Sequence, residues 1–447
     1  MSQPPASHLT ERPALRLWDC YGFFGPLVLM VELNMISKSA IHAFLARTDN
    51  PSVTLAAFNA AFTFYFAISS ATEVTVLLCL SYLKSRADVL RLLGFAAAML
   101  VLPLALALTV AFTDLGNTLF GGWFGLSVQG QSEARAAVGF LTLSIPVLLL
   151  RGVAFALLML NRQTIIITWS TLVRLSSLAV SLAILPQHVE GAAIGAAALV
   201  LCMAAETVFA WAFAWRLLMA MPAIRQARDT FFGYWRFSWP LIVNSSAEMG
   251  VIFTISFFLG RLADAELAIA AFGVVHGLVS LLMGPMRNLT QTTQTLVLRR
   301  EDVRVMFIFT AQLVAFFMLL ALVLFETPLR TWILHGIMGL TPELAAYCEP
   351  ALTVSFVMAA CWSCTALFRG LLAKARTTKS LAISGVLRVL TAAIVGFVSL
   401  SIADLNGALL GIAAWILSYG VETAISTWRL HKLGWFVETG ATAKGST

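Results

Sequence analysis

The sequence predicts an all-α polytopic membrane protein, in which twelve transmembrane helices form two six-helix bundles. Three observations predict this fold: the composition, the long apolar runs and an internal repeat. Of the 447 residues, 60% are apolar and only 11% are charged, whereas soluble proteins carry about 25% charged residues. Since about 20 apolar helical residues cross the hydrocarbon core of a bilayer, a chain of this length has room for about twelve or thirteen crossings.

Apolar runs between charged or turn-forming breaks, such as Thr48-Asp49-Asn50-Pro51, give the predicted helices. They lie near residues 17–45, 53–82, 89–113, 136–160, 164–185, 191–215, 233–259, 266–295, 304–325, 346–373, 378–401 and 406–429. The predicted segments are a cytoplasmic tail over 1–16, a bundle over 17–216, a cytoplasmic linker over 217–232, a bundle over 233–430 and a cytoplasmic tail over 431–447.

The distribution of Lys and Arg predicts the orientation of these helices. Nineteen such residues flank one side, and only four flank the other: Arg47, Arg135, Arg261 and Arg330. Cytoplasmic connections carry this kind of excess, so both termini are expected in the cytoplasm and the chain in the inner or plasma membrane. The formal net charge of +7 is therefore interpreted as membrane orientation, because a nucleic-acid-binding protein would cluster its basic residues in exposed stretches.

The chain repeats itself at one constant offset, the repeat register, which carries Pro26 onto Pro240. Further matching pairs at this register are Arg86 and Arg300, Arg162 and Arg376, and Arg174 and Arg388. With two further residues inserted, Glu206 matches Glu422. Because six spans are an even number, both halves have one orientation and are related by a pseudo-twofold axis along the membrane normal. Transporters with such parallel repeats hold substrate near the midplane and alternate access by rocking one half against the other.

Four stretches carry a resemblance to a known family, and three of them lie in the second half. The three are Phe237-Ser-Trp-Pro240-Leu241, Phe368-Arg369-Gly370-Leu371 with Ser384-Gly385-Val386-Leu387-Arg388-Val389, and Leu405-Asn406-Gly407-Ala408-Leu409-Leu410-Gly411 followed by Gly420-Val421-Glu422-Thr423. The fourth and weaker stretch is Leu83-Lys84-Ser85-Arg86, after the second helix. The four stretches resemble the progressive ankylosis protein family, a branch related to the multidrug-and-toxin-extrusion (MATE) and polysaccharide-flippase transporters. The resemblance implies a MATE-like fold and export of a small polyanion such as citrate, pyrophosphate or a nucleotide. The wider superfamily of multidrug, oligosaccharidyl-lipid and polysaccharide (MOP) transporters is the broader assignment.

Thirteen ionisable residues lie inside the predicted spans. They are Glu32, Lys38, His42, Glu73, Arg151, Arg174, Glu206, Glu248, His276, Arg287, Arg369, Arg388 and Glu422. A charge at the bilayer centre costs about 2.5–3.5 kcal/mol on insertion scales, so most of them must face protein or water. The recurring residues predict one structural intramembrane pair in each half, Arg174 with Glu206 and Arg388 with Glu422. Arg369, near a cytoplasmic helix end, is expected to snorkel toward water.

Polar residues whose charge is not repeated in the other half are the predicted substrate- or ion-binding residues. They are Glu32, Asn34, Lys38, His42, Glu73, Arg151, Glu248, His276 and Arg287. Asn34, Lys38 and His42 follow one another at i, i+4 spacing and form a polar stripe on the first helix. The cations favour an anionic substrate, because Arg binds carboxylate and phosphate bidentately. Satisfied interior polarity is the alternative for Glu32 and Glu248.

Glu73 and Arg287 occupy the same repeat position, since the offset that carries Pro26 onto Pro240 also carries Glu73 onto Arg287. The pseudo-twofold axis would place them at equal depth on opposite sides of the central cleft. This predicts a gate pair that an incoming anion breaks by competing with Glu73 for Arg287. Simple solvation of both residues at cytoplasmic helix ends is the alternative.

The sequence predicts a secondary active transporter that exports a small anionic metabolite and works as a monomer in the lipid bilayer. No cofactor, metal or nucleic acid is predicted, and coupling to H⁺ or Na⁺ stays open. The alternatives are a flippase for a lipid-linked or amphipathic substrate, and a MATE-type antiporter exchanging a cationic drug for H⁺ or Na⁺. An enzyme is disfavoured, because the chain has no catalytic motif such as His-Glu-x-x-His.

Overall fold

The computed structural model describes residues 14–45, 47–48, 50–123, 126–223, 229–338, 340–400 and 405–434. Within these ranges every regular element is a helix or a helical turn. The predicted binding residues Lys38 and Glu73 belong to helices, but their side chains lie outside the described part.

Twelve spanning helices follow one another along the described chain. The N-half comprises α1 (Leu17–Leu45), α2 (Pro51–Tyr82), α3 (Arg86–Phe112), α4 (Val128–Thr142 and Ser144–Leu160), α5 (Thr164–Ile184) and α6 (Ala192–Ala220). The C-half comprises α7 (Phe231–Leu259), α8 (Ala265–Met283, Gly284–Asn288 and Leu289–Leu296), α9 (Arg300–Glu326), α10 (Pro342–Ser355 and Val357–Lys374), α11 (Lys379–Ser399) and α12 (Gly407–Lys432). Eleven of these are long and apolar enough to cross a membrane, and α10, bent by 48°, makes the twelfth.

These helices confirm the predicted all-α membrane fold, with eleven or twelve candidate spans against the twelve predicted. Their bounds are wider than predicted at several ends. The fourth helix begins at Val128 instead of near residue 136, while α6 continues to Ala220 and α12 to Lys432. The last turns of α6 and α12 therefore occupy stretches predicted as linker and tail, because both helices continue past the basic residues Arg216 and Arg429 that interrupt the apolar pattern.

The backbone repeats at the same register as the sequence. A short helical turn, Leu115–Asn117, follows α3 and recurs after α9 as Leu329–Thr331. Among the described residues, two that are not glycine have a left-handed backbone, Arg162 with φ of 57° and Arg376 with φ of 53°. They occupy the same repeat position, so the two halves share even an uncommon local conformation.

The last helix of each half begins with a backbone N–H that donates to a side chain, but the accepting side chain differs between the halves. The N–H of Ala192, at the start of α6, donates to Glu133 Oε2 at 3.1 Å. At the start of α12 the N–H of Gly407 donates to Tyr347 Oη at 2.7 Å. Glu133 and Tyr347 occupy one position of the repeat register, so a carboxylate and a phenol each accept from the first N–H of the last helix of their half.

Two prolines explain two of the helix interruptions. Pro146 has no N–H to give to the carbonyl of Thr142, and α4 is broken at the residue that follows Thr142. In α8, Pro285 lies in a 3₁₀ turn over Gly284–Asn288. The equivalent residue of α2 is Ala71, and α2 is continuous. The two halves therefore differ in backbone where α8 carries Arg287.

The halves pack against each other at one end of the bundle, which we call the basic face, where α2 ends and α3 begins. There Tyr21 Oη donates to Gln312 Oε1 at 2.9 Å, and Gln294 Nε2 donates to Ser81 Oγ at 2.7 Å. One apolar core runs through both halves at this end. Toward the opposite face the N-half has a separate core, which includes Ile41, Leu45, Phe58, Phe120 and Leu141. The cleft between the halves is thus closed at the basic face.

Candidate functional site

The N-half holds a cluster of charged side chains, which we call the N-half cluster. Arg151 of α4 places Nε 3.1 Å from Glu206 Oε2 of α6, and Arg174 of α5 places Nη1 3.6 Å from the same oxygen. Thr171 donates its hydroxyl to Glu206 Oε1 at 3.2 Å. Arg174 also donates to Asn34 Oδ1 of α1 at 2.8 Å. Four helices of one half therefore meet around a buried carboxylate.

The C-half holds an equivalent arrangement around Glu422 of α12, which is the centre of the C-half cluster. Arg369 of α10 donates two hydrogen bonds to the Glu422 carboxylate, at 2.7 and 2.8 Å. Arg388 of α11 places Nε 3.0 Å from Glu422 Oε2, and Asn244 of α7 donates to Oε1 at 3.1 Å. Glu422 and Arg388 are fully buried, so the bidentate geometry provides the compensation that buried charges need.

A second carboxylate extends the C-half cluster toward a more exposed arginine. Glu248 of α7 pairs through Oε1 with Arg287 of α8, and its Oε2 lies 4.0 Å from Arg369 Nη1. The 3₁₀ turn over Gly284–Asn288 carries Arg287 to this position. The Arg287 guanidinium also lies over the Trp362 ring, 4.9 Å from its centroid. Its side chain is 46% exposed, which makes it the most accessible cation among these pairs.

Each cluster contains one more arginine than glutamate. The N-half cluster has two arginines and one glutamate, and the C-half cluster has three arginines and two glutamates. Each cluster therefore carries a net positive charge. The first helix of each half contributes a polar side chain to its cluster from the same repeat position, Asn34 in α1 and Glu248 in α7. An excess positive charge in a medium of low dielectric constant attracts anions strongly.

Two predictions about individual arginines were wrong. Arg151 was expected to lack a counterpart, but it pairs with Glu206 as Arg369 pairs with Glu422. Arg369 was expected to snorkel toward water, but its side chain is only 17% exposed and bonds to Glu422. The repeat register aligns Arg151 with Thr365, and Arg369 lies one helical turn further along α10. A shift of four residues keeps a side chain on the same helix face, and residue-by-residue alignment misses it.

The predicted pairs within each half are close in space. Arg174 lies 3.6 Å from Glu206, and Arg388 lies 3.0 Å from Glu422. Arg287, the predicted gate cation, instead contacts Glu248 of its own half. Since the side chain of Glu73 is not described, the gate itself stays a prediction.

The predicted polar stripe on α1 does not converge on one site. Asn34 bonds to Arg174, whereas His42 lies 2.8 Å from Asn59 Oδ1 of α2. His276 of α8 is also separate from the stripe, and its ring lies 4.7 Å from the Trp415 ring. The two histidines are thus engaged by neighbours in different halves.

Glu32 lines a cavity of about 490 Å³ between α1 and α8. Its lining residues are Glu32, Met35, Ile36, Ala40, Ala43 and Leu281. The surface around this carboxylate is mainly apolar, in contrast to the arginine-rich clusters. Such a lining suits an amphipathic molecule better than a small hydrophilic anion.

Sequence reasoning missed Asn244 as a member of the C-half cluster. Besides its bond to Glu422, its side chain donates to the Leu381 carbonyl at 2.9 Å, and its own carbonyl accepts from Arg388 at 2.7 Å. A buried amide is normally hydrogen-bonded, so an asparagine inside an apolar span is the signal that identifies it. Within the described ranges, no group of three or more His, Cys, Asp or Glu side chains is placed to hold a metal ion.

No protein-family model and no curated protein matches the sequence. A MATE transporter solved in complex with MaD3S has a TM-score of 0.71 at 15% identity, over 93% of this chain and 96% of that one. An outward-facing multidrug-resistance MATE transporter of the MOP superfamily has a TM-score of 0.68 at 14% identity, over 93% and 96%. A MOP transporter from Pyrococcus furiosus, described as having a binding pocket of reverse polarity, has a TM-score of 0.65 at 15% identity, over 93% and 96%. The chain therefore has the fold of the MATE transporters of the MOP superfamily.

Proposed function

We propose that the chain is a secondary active transporter of a small anionic metabolite, with alternating access between its halves. The MATE-type fold and its parallel repeat support transport rather than catalysis. The C-half cluster is the observation that favours an anionic substrate. It contains three arginines and two glutamates, and the Arg287 side chain is 46% exposed. A guanidinium in this position binds a carboxylate or phosphate through two parallel hydrogen bonds.

The proposed direction of transport is export. The cleft is closed at the basic face, where Gln294 bonds to Ser81 across the two halves. With that face in the cytoplasm, as the Lys and Arg distribution predicts, Arg287, the exposed arginine of the C-half cluster, would be reached from outside. Rocking the halves apart at the basic face would then load an anion from the cytoplasm. We expect the monomer to do this, with H⁺ or Na⁺ as the coupling ion.

The substrate class that we propose is a citrate-, pyrophosphate- or nucleotide-like anion. The resemblance to the progressive ankylosis family supports it, as does the arginine excess in both clusters. Lys38 and Arg151 are the proposed further cations of the N-half wall. The reverse polarity described for the Pyrococcus furiosus transporter is a parallel within the same fold.

The cavity beside Glu32 favours a second candidate function. A carboxylate in a mainly apolar lining suits an amphipathic substrate, either a lipid-linked molecule for a flippase or a cationic drug for an antiporter. We rank this second, because the charged clusters inside the bundle contain more arginines than glutamates.

A binding experiment tests the choice between anion and cation. The purified protein in detergent is heated with citrate, pyrophosphate, ATP or tetraphenylphosphonium, since a ligand at 100 times its Kd stabilises the folded state by about 2.7 kcal/mol. We expect an anion to raise the melting temperature of the wild type and of Arg330→Gln. Arg330, paired with Glu349 at 3.3 Å, is a control in the same half. Arg287→Gln should lose about 1.5–3 kcal/mol of that binding energy.

Two results would contradict the proposal. Stabilisation by tetraphenylphosphonium alone would favour the cationic antiporter. Equal stabilisation of the wild type and Arg287→Gln by anions would place the anion site elsewhere.

A further inference from the structure

We propose that Glu248 is a built-in competitor for the substrate: it occupies Arg287 in the empty transporter, and the incoming anion takes its place. This inference rests on the proposed function. It adds which residue occupies the anion site when no substrate is bound and helps to release the anion. It assigns Glu248 a role in setting affinity, distinct from the structural role of Glu422.

The first argument is the position of the Glu248 carboxylate. One of its oxygens pairs with Arg287, and the other lies 4.0 Å from Arg369 Nη1. A carboxylate between two guanidinium groups has the charge and hydrogen-bonding geometry of a bound anion. A substrate carboxylate or phosphate that bound both arginines in this geometry would take the place of Glu248.

The second argument is that the Glu248–Arg287 pair can separate without leaving an arginine buried and unpaired. Arg369 donates two hydrogen bonds to Glu422, at 2.7 and 2.8 Å, so it retains a counter-ion when Glu248 moves away. Arg287 is 46% exposed, so water can solvate it after the pair separates. Arg388 and Glu422, in contrast, are fully buried, and separating them would leave bare charges in the bundle.

The third argument comes from the repeat. The residue of α1 that corresponds to Glu248 is Asn34, a neutral acceptor that bonds to Arg174 at 2.8 Å. The N-half thus satisfies its arginine without a second carboxylate. Glu248 and Arg287 are both additions of the C-half, since the residue corresponding to Arg287 is Glu73.

Competition of this kind lowers apparent affinity by a simple factor. If Glu248 holds Arg287 for about nine-tenths of the time, the apparent Kd for an anion is raised about tenfold. The return of Glu248 to Arg287 also displaces the anion, which aids release. A transporter gains from this arrangement, because a site that binds too tightly does not empty.

The test measures anion affinity after the carboxylate is neutralised. Pyrophosphate and citrate are titrated calorimetrically into the full-length protein, and into its Glu248→Gln and Glu349→Gln variants. We expect Glu248→Gln to lower the Kd about tenfold. Glu349→Gln neutralises the partner of Arg330 in the same half and should leave the Kd unchanged. If Glu248→Gln fails to fold, Glu248→Asn reproduces the side chain of Asn34 and is measured instead.

A double variant separates competition from a general effect of charge. In the Arg287→Gln background the exposed cation that Glu248 occupies is gone, so adding Glu248→Gln should change the Kd by about twofold or less. An equal gain in both backgrounds would overturn the inference in favour of long-range attraction. A Kd for Glu248→Gln equal to or above that of the wild type would also overturn it, with anion binding intact. Failure of every variant to bind any anion would instead reject the proposed function.

Discussion

The buried carboxylate of Glu422 has two arginine partners, Arg369 and Arg388. Glu422 and Arg388 are therefore not equivalent members of their ion pair, because only Glu422 has a second partner. Arg369 donates to both of its carboxylate oxygens, and Arg388 approaches one of them at 3.0 Å. The repeat alone predicts the closeness of Arg388 to Glu422, because Arg174 and Glu206 recur at that register. It does not predict Arg369, whose orientation depends on how the two pieces of α10 are rotated about their bend.

This inequality predicts different costs for the two single substitutions. Glu422→Leu removes the counter-ion of two arginines and should destabilise the protein by at least ~3–5 kcal/mol. Arg388→Leu leaves Glu422 with its bidentate partner and should cost less. Thermal unfolding of the purified variants in detergent, followed by the loss of monodisperse protein, measures both. Glu349→Leu, in the half-exposed pair with Arg330, is the control with a small effect. Equal losses for Glu422→Leu and Arg388→Leu would show that Arg369 does not share the carboxylate.

The turn that follows α10 joins the two halves at the basic face. Arg376, with its left-handed backbone, places Nη1 3.1 Å from Asp229 and donates from Nη2 to the Ser81 carbonyl at 2.9 Å. Its guanidinium also lies 3.9 Å from the centroid of the Tyr82 ring. Separation of the halves at this face must break the contacts with α2. The repeat equivalent, Arg162, has the same left-handed backbone but is exposed. The turn therefore occurs in both halves, whereas the described contact between the halves is made by Arg376.

We expect Arg376→Ala to favour opening of the basic face. An exposed ion pair and a cation–π contact together contribute roughly 1–2 kcal/mol, which corresponds to a change of roughly 5- to 30-fold in the ratio of closed to open molecules. Spin labels at the exposed Arg91 of α3 and Arg304 of α9, in a background without native cysteines, measure the distance between the two halves at the basic face. Arg162→Ala is the matched control and should leave the distribution unchanged. An unshifted distribution for Arg376→Ala would show that other contacts hold the face closed.

For the whole molecule, patterning predicts the architecture and leaves the site incomplete. Apolar runs and the register of Pro26 with Pro240 are enough for twelve spans in two like halves, because a bilayer constrains helix length and each half repeats one fold. The partner of Arg287 is not predictable in this way. It depends on the break at Pro285, which has no equivalent in α2, and on the depth at which Glu248 meets α8.

The most direct test of the account is uptake by vesicles that contain the purified protein. Labelled citrate, pyrophosphate, ATP and tetraphenylphosphonium are offered to vesicles with an imposed H⁺ or Na⁺ gradient, for the wild type, Arg287→Gln and Arg330→Gln. The account predicts gradient-driven flux of at least one anion by the wild type and Arg330→Gln, reduced roughly tenfold or more in Arg287→Gln, since each 1.4 kcal/mol of lost binding is a factor of ten. Flux of tetraphenylphosphonium without anion flux, or anion flux that Arg287→Gln leaves unchanged, would contradict it.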